Sequence, residues 1–566
     1  MDRFQEILKR YWGYEDFRGI QRQIIESISE GKDTLGLMPT GGGKSITFQV
    51  PAMSMDGVCL VITPLIALMK DQVNNLYRRG ISAKAVYSGM SHERVVQVLD
   101  DAIYGGVKIL YVSPERLSSE LFLAKLAHID ISFITVDEAH CICQWGYDFR
   151  PSYLQIAKIR ELLPNAPVLA LTATATPKVV KDIQAKLSFR EKNVFSMSFE
   201  RKNLSYVVRN AQDKLAQLIH ILNSVQGSAI VYVRARKRTY EISEELKKAG
   251  FSAVGYHAGL DDLEKDMRQR QWANDEVRII VATNAFGMGI DKPDVRIVIH
   301  YDSPDSIEAY FQEAGRAGRD GKRAYAVMLH NGNDVNKLRR RVMESFPEKD
   351  YIRKVYEHIA SYYQIAVDDG EGCIHEFDVE KFCKVFHHFP TVVESSLMIL
   401  QRAGYISYEL DFNKMSRFCF KVVREQLYQL DTESDKCNEM IMYMLRNYPG
   451  LFSEYKFIEE SMIAHHLGLQ EHQVYFMLKY LDRINVASYI PKRSTPYIIY
   501  ARDRVDTGDV ILSDEVYDDR KKDYENRINA IIEYQTNDDT CRSRILLNYF
   551  GEKTDGDCGI CDVCLS

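Results

Sequence analysis

The sequence has no apolar run of roughly eighteen residues, the length a membrane-crossing helix requires. Its opening stretch MDRFQEILKRYWGYEDFRG carries charges where a secretion signal would have an apolar core. Both absences point to a cytoplasmic protein with no membrane partner. Basic charge is not in excess: the net charge is −6 and the isoelectric point about 6.2, so any surface for nucleic acid must be local. The eleven cysteines are odd in number and scattered singly except at the end, which argues against a secreted disulfide framework. What is present is ordinary globular composition, 46% hydrophobic and 27% charged, in a 566-residue chain too long for one hydrophobic core. Roughly three or four domains are expected.

Short apolar runs alternate with helical stretches: TLGLMP, VCLVITP, KILYVSPE, FITVDEAH and VLALTATAT. Runs that are continuous rather than alternating predict strands buried on both faces, and each ends in polar or Gly-rich residues. This is the pattern of a parallel α/β sheet with its chemistry at the strand C-termini. It restarts after Ser205 with SAIVYVRAR, AVGYHAG, RIIVATNAF, VRIVIHYDSP and YAVMLH, then stops near Arg340. Two tandem α/β domains, residues 1–205 and 206–345, are therefore expected to meet at a cleft and to be followed by a largely helical region.

MPTGGGKS supplies a Gly-rich turn between a strand and a helix. Backbone N–H groups of Thr40, Gly41, Gly42 and Gly43 can face a phosphate, Lys44 can reach the β/γ-phosphates, and the Ser45 hydroxyl can ligate magnesium. Met38 stands where the strict pattern has glycine. In VDEAH, Asp137 can hold the same magnesium and Glu138 can polarise an attacking water, with His140 closing the motif as a further catalytic candidate. The second domain supplies QEAGRAGRDG, in which Gln312 is a candidate nucleotide contact. Arg316 and Arg319, three apart, can point from one helical face at the γ-phosphate, where an arginine finger is worth about 10³–10⁵ in rate.

The order FRGIQ, MPTGGGKS, TPLIALMKDQ, VDEAH, QWGYDFRP, TATAT, ATNAFGMGIDKPDVR and QEAGRAGRDG resembles superfamily 2 helicases, and specifically the RecQ family of DNA helicases. The resemblance covers roughly Met1 to His330. It implies two RecA-like domains, ATP and Mg²⁺, and 3′ to 5′ translocation on single-stranded DNA, with tailed duplexes as substrates. It also implies repair or replication proteins as partners, a nucleoid-associated location and work as a monomer. Tyr14, Arg18 and Gln21 match the family's adenine-reading segment, Thr172 and Thr174 its coupling motif, and Gly289 and Asp291 the motif that senses nucleotide from the second domain. CICQWGYDFRP falls on the family's aromatic-rich loop, with Trp145, Phe149 and Arg150 available to stack on bases or pair with phosphate. Tyr147 stands where the family usually has histidine.

The chain closes with Cys541, Cys558, Cys561 and Cys564, a C-x16-C-x2-C-x2-C array whose four thiolates suit tetrahedral, structural zinc. This stretch, 516–566, resembles the RecQ zinc-binding module. Residues 346–515 intervene between it and the second motor domain, where most members have nothing. Inside them, ESSLMILQRAGYISYEL and HQVYFMLKYLDRINVASYI each run an apolar-periodic helix to Gly404 or Asn485 and then into a strand. The expected architecture is two winged-helix-like units, the second continuing as a hairpin, SYIPKRSTPYIIYARDR, whose turn presents Lys492 and Arg493 to duplex DNA. A helical spacer with no DNA role is the other reading. For the whole chain, the alternatives to a DNA helicase are an RNA helicase and an ATP-driven remodeller that does not separate strands.

Overall fold

In the first domain, strands β1 (Thr34–Leu37), β2 (Val58–Ile62), β4 (Ile109–Val112) and β6 (Val168–Thr172) are buried along their whole length, as apolar runs covered on both faces by helices must be. With β3 (Ala83–Val86), β5 (Ile131–Val136) and β7 (Val194–Ser196) they form a parallel seven-stranded sheet ordered β3-β4-β2-β5-β6-β1-β7. The C-termini of the adjacent strands β5, β6 and β1 therefore deliver VDEAH, TATAT and the Gly-rich turn side by side. At the opposite end Asp33 takes a bidentate contact from Arg160 (2.8 and 2.5 Å) and accepts the amides of Val168 and Arg190 (3.0 and 2.9 Å), pinning the start of β1 to β6.

The second domain repeats the plan with β8 (Leu204–Asn210), β9 (Ser228–Tyr232), β10 (Ala253–Tyr256), β11 (Ile279–Ala282), β12 (Val295–His300) and β13 (Ala324–His330), a parallel sheet ordered β10-β11-β9-β12-β13-β8. The zinc-module helices Asp518–Thr536 and Arg542–Tyr549 follow much later in the chain. In this computed structural model the chain is described except at residues 1, 40, 144–148, 288–291, 410–415, 423–425, 428–434, 449, 453–454 and 492–495. It divides into two compact units, Met1–Arg340 with Asp523–Ser566, and Arg341–Lys522. No helix among the described residues is long and apolar enough to cross a membrane.

The Arg341–Lys522 unit holds two winged-helix-like arrays of helices about three-stranded sheets. The first comprises helix Lys349–Tyr363, β14 (Ile374–Glu376), helices Val379–Phe386 and Pro390–Arg402, and β15 (Ile406–Glu409). The second comprises β16 (Ser416–Phe420), helix Asp435–Asn447, β17 (Lys456–Ile458), helices Glu460–Leu467 and Glu471–Arg483, and β18 (Ala487–Ile490). The repeat expected from sequence is present: each last helix ends at a left-handed residue, Gly404 (φ 76°) or Asn485 (φ 61°), before its strand.

The expected hairpin is not. β18 pairs with β16, whereas β19 (Tyr497–Tyr500) crosses back to lie between β14 and β15. The central strand of each three-stranded sheet thus follows the outer strand of the other winged helix. A local pattern of strand, turn, strand is equally compatible with pairing to a distant partner, and here the distant partners win because each sheet would otherwise lack its middle. Lys492 and Arg493 lie outside the described residues. The second sheet is fastened by the buried Glu460 carboxylate, which accepts hydrogen bonds from Ser416 on β16 and from Tyr489 on β18.

Candidate nucleotide site and zinc module

The Gly-rich turn needs glycine for two reasons. Gly41 and Gly43 sit at φ 83° and 76°, and a Cβ on Gly43 would lie 2.4 Å from Gln21 Nε2. Gln21 fills that space as a strut: its amide donates to Gly42 O (3.3 Å) and Gly43 O (3.0 Å), while its Oε1 accepts the Arg18 amide (2.9 Å). The Arg18 guanidinium lies 5.6 Å from the centre of the half-exposed Tyr14 ring. Lys44 follows the turn and Ser45 immediately precedes the buried helix Ile46–Ser54, whose N-terminus is a natural seat for phosphate. Thr40 lies outside the described residues.

Lys44 Nζ stands 3.5 Å from Glu138 Oε1. Burial alone would raise the Glu138 carboxyl, but Lys44, His140 and Arg316 hold it below its ordinary range. Its neighbour goes the other way: burial, with Glu138 beside it, pushes Asp137 up to about 6 against the pull of Lys44. Glu138 itself is held at φ 48°, a left-handed conformation rarely taken by a residue with a side chain, and such strain concentrates at functional sites. Asp137 Oδ1 accepts the Glu138 amide (3.0 Å), and the Thr63 hydroxyl reaches Oδ2 at 3.5 Å. His140 Nδ1 lies 2.9 Å from Thr172 Oγ1 and 3.4 Å from Glu138 Oε2, and Thr172 Oγ1 accepts the Thr174 amide at 3.3 Å. VDEAH and TATAT are thus one hydrogen-bonded network.

The second domain closes the site. Gln312, Arg316 and Arg319 line the same cavity of about 1170 Å³ as Gly43, Lys44, Ser45, Asp137 and Glu138. Arg316 is buried and donates to the carbonyl of Gly287, and a Cβ on Gly41 would meet Arg319 Cγ at 3.3 Å. Gly289, Asp291, Trp145 and Tyr147 lie outside the described residues. The flanks of the aromatic loop are described: the Arg150 amide donates to Cys141 O (2.9 Å), and the Tyr153 hydroxyl donates to the Asp137 carbonyl (2.9 Å). Sequence reasoning missed Tyr153. A tyrosine two residues beyond a motif carries no signal until the fold brings it to the Asp137 carbonyl. Phe149 is half-buried at the loop's end.

At the chain's other end the sulfurs of Cys541, Cys558, Cys561 and Cys564 all lie within 4.8 Å of one another. Four Zn–S bonds of about 2.3 Å would set sulfurs roughly 3.8 Å apart, so the array fits a tetrahedral structural ion. Arg542, next to the first cysteine, is buried and ties Asp562 (3.0 Å), Asp538 (3.0 Å) and the Tyr534 carbonyl (2.7 Å) together.

Comparison with known proteins follows this layout. The DEAD/DEAH box helicase family matches residues 18–183 and the helicase conserved C-terminal domain residues 212–321. The RecQ helicase winged-helix domain of Bacteroidota matches 418–491 and the RecQ zinc-binding domain 501–565. RecS of Bacillus subtilis is 41% identical over 338 residues, 59% of this chain and 68% of that protein. The chain belongs to the RecQ helicase family. Other RecQ relatives include ATP-dependent DNA helicase RecQ of Pasteurella multocida, 42% identical over 60% of this chain and 54% of its own, and that of Bacillus subtilis, 43% identical over 59% and 57%. The match therefore spans little more than half the length of those two RecQ proteins. Among solved structures, helicase MrfA bound to DNA superposes with a TM-score of 0.50 at 18% identity, covering 60% of this chain and 53% of that one. That likeness speaks for the RecQ motor's fold alone.

Proposed function

We propose that the protein is an ATP-dependent DNA helicase that translocates 3′ to 5′ on single-stranded DNA and unwinds tailed duplexes in recombination and repair. The supporting observation is the one cavity in which Lys44, Ser45, Asp137 and Glu138 of the first sheet domain face Gln312, Arg316 and Arg319 of the second. Tyr14, Arg18 and Gln21 would hold the adenine of ATP, and the Gly-rich turn its phosphates. Magnesium held by Ser45 and Asp137 would neutralise charge on those phosphates. Glu138, kept ionised by Lys44 and His140, orients water for attack, and Arg316 and Arg319 offset the charge that develops on the γ-phosphoryl group. Because the two halves sit on separate domains, nucleotide state and domain closure become one variable, and alternating closure moves the strand.

Trp145, Phe149 and Arg150 would grip single-stranded bases by stacking and charge, which tolerates any sequence. Tyr153 on Asp137, and Thr172 on His140, offer the route from that loop to the hydrolytic carboxylates. The cytoplasm, associated with the nucleoid, is the corresponding location, and a monomer with repair or replication partners the corresponding assembly. The test is ATP hydrolysis with single-stranded DNA or RNA as activator. DNA should stimulate, Lys44→Ala should abolish hydrolysis, and Trp145→Ala should lose stimulation while still binding nucleotide. Equal stimulation by RNA would favour an RNA helicase, and unchanged stimulation in Trp145→Ala would remove the loop from this mechanism.

A second reading, a translocase that remodels partners without strand separation, draws on one feature of the second winged helix. Its helix Glu471–Arg483 balances Glu471 and Asp482 against Lys479 and Arg483 and exposes Tyr475 and Phe476. That surface has little to offer a phosphate backbone.

A further inference from the structure

The helix Ile307–Ala314 leads directly into Arg316 and Arg319, and all of its residues except Ala309 are buried. Its cleft side carries Gln312, and Glu313 holds His300 at 2.9 Å. Its other side is covered by the zinc module: Tyr549 donates to Glu308 (2.8 Å), Tyr534 donates to the Tyr310 hydroxyl (3.1 Å), and the Phe550 ring packs 5.0 Å from Phe311. The same module grips the segment joining the two sheet domains. Phe550 lies 5.1 Å from the buried Phe199, and the Glu552 carboxylate accepts both the Ser198 hydroxyl (2.5 Å) and the Phe199 amide (2.9 Å). It also touches the first domain just beyond TATAT, where Gly551 lies so close to Pro177 that a Cβ would come within 2.7 Å, and Asp523 pairs with Lys178 at 2.9 Å.

We infer that the zinc module positions the arginines of the nucleotide site: Phe550 seats the helix that leads into the turn bearing Arg316 and Arg319, and Glu552 holds the segment about which the two sheet domains close. These are positioning residues, since neither lines the nucleotide cavity. The inference rests on the motor reading above and extends it, making the zinc module part of hydrolysis as well as of the fold. An aromatic pair adds attraction beyond its burial, enough to favour one seat for the helix, and a 1 Å displacement of a catalytic group can cost about 10²-fold in rate.

The experiment compares DNA-stimulated ATP hydrolysis, zinc content and nucleotide KM in the full chain and in Phe550→Ala, Phe550→Tyr and Glu552→Ala. Phe550→Ala should lower kcat about 10-fold and Glu552→Ala about 3-fold, with zinc content and KM for ATP within twofold of wild type, and Phe550→Tyr should restore most of the rate. If Phe550→Ala sheds zinc, Glu552→Ala, which removes a carboxylate bonded to Ser198 and the Phe199 amide, decides the matter by the same readout. Variants with wild-type kcat and bound zinc would overturn the inference while leaving the motor reading intact. A wild-type protein that hydrolyses no ATP would overturn both.

Discussion

The Met1–Arg340 part of the motor and the Arg341–Lys522 unit carry information in opposite ways. In the motor, identity at a few positions matters more than pattern: Lys44, Asp137 with Glu138, and Arg316 with Arg319 come from three separate segments of the chain and converge on one cavity. In the winged-helix unit pattern is nearly everything. Its second core is a cluster of ordinary apolar residues such as Phe418, Met440, Ile463 and Leu478, and its distinctive feature is which strand completes which sheet. Short chemical motifs can be read one at a time, whereas strand exchange is a property of the whole unit.

The sharpest way to break this comparison is to cut the winged-helix unit. A fragment ending at residue 409 lacks β19, the central strand of the first sheet, so it should show no cooperative unfolding, whereas residues 341–522 should melt in one transition. A fragment ending at 409 that melts cooperatively would mean that the exchange is dispensable. In the motor a single side chain should do comparable damage to activity without touching the fold. Arg316→Ala should lower ATP hydrolysis by about 10³-fold or more at an unchanged melting temperature, read by steady-state rates and calorimetry.

Next in size is a purely structural site in the motor. Burial would raise the Asp33 carboxyl, but Arg160 and the amides of Arg190 and Val168 hold it below its ordinary range. Breaking such a buried pair by Asp33→Ala should cost about 3–5 kcal/mol. Because the folded-state value is depressed, Asp33 contributes its stability above the ordinary carboxylate range and loses it as pH falls through the folded value. Acid unfolding of wild type should therefore steepen in that window, and Asp33→Asn should flatten it; identical acid transitions would contradict the assignment. The smallest effect tests the repeat. Asn485→Ala and Gly404→Ala each force alanine into a left-handed turn and should each cost about 1–2 kcal/mol in thermal melts, whereas Asn485→Gly should be neutral or slightly stabilising.

Much of the motor was legible in sequence because its central strands are continuous apolar runs that end in reactive residues. Three strands were not read, β3, β7 and β8, and each lies at a sheet edge, where partial exposure breaks the run. In the winged helices the helix, left-handed residue and strand of each repeat were visible, since these are local. Their pairing was misread as a hairpin because register with a strand far away in the chain, as Ile406 with Tyr500 or Arg417 with Ile490, leaves no local mark. At the site the motif residues were recognised, but Tyr153 beneath Asp137 and the zinc module behind the helix that leads into the arginines were not, because both are contacts that only the folded chain creates.

The most direct test of the account is strand separation on matched duplexes carrying a 3′ or a 5′ single-stranded tail, with Lys44→Ala as the control. ATP-dependent unwinding of the 3′-tailed duplex only, abolished by Lys44→Ala, is the expected result. Unwinding from the 5′ tail, or none from either while DNA-stimulated hydrolysis persists, would contradict it.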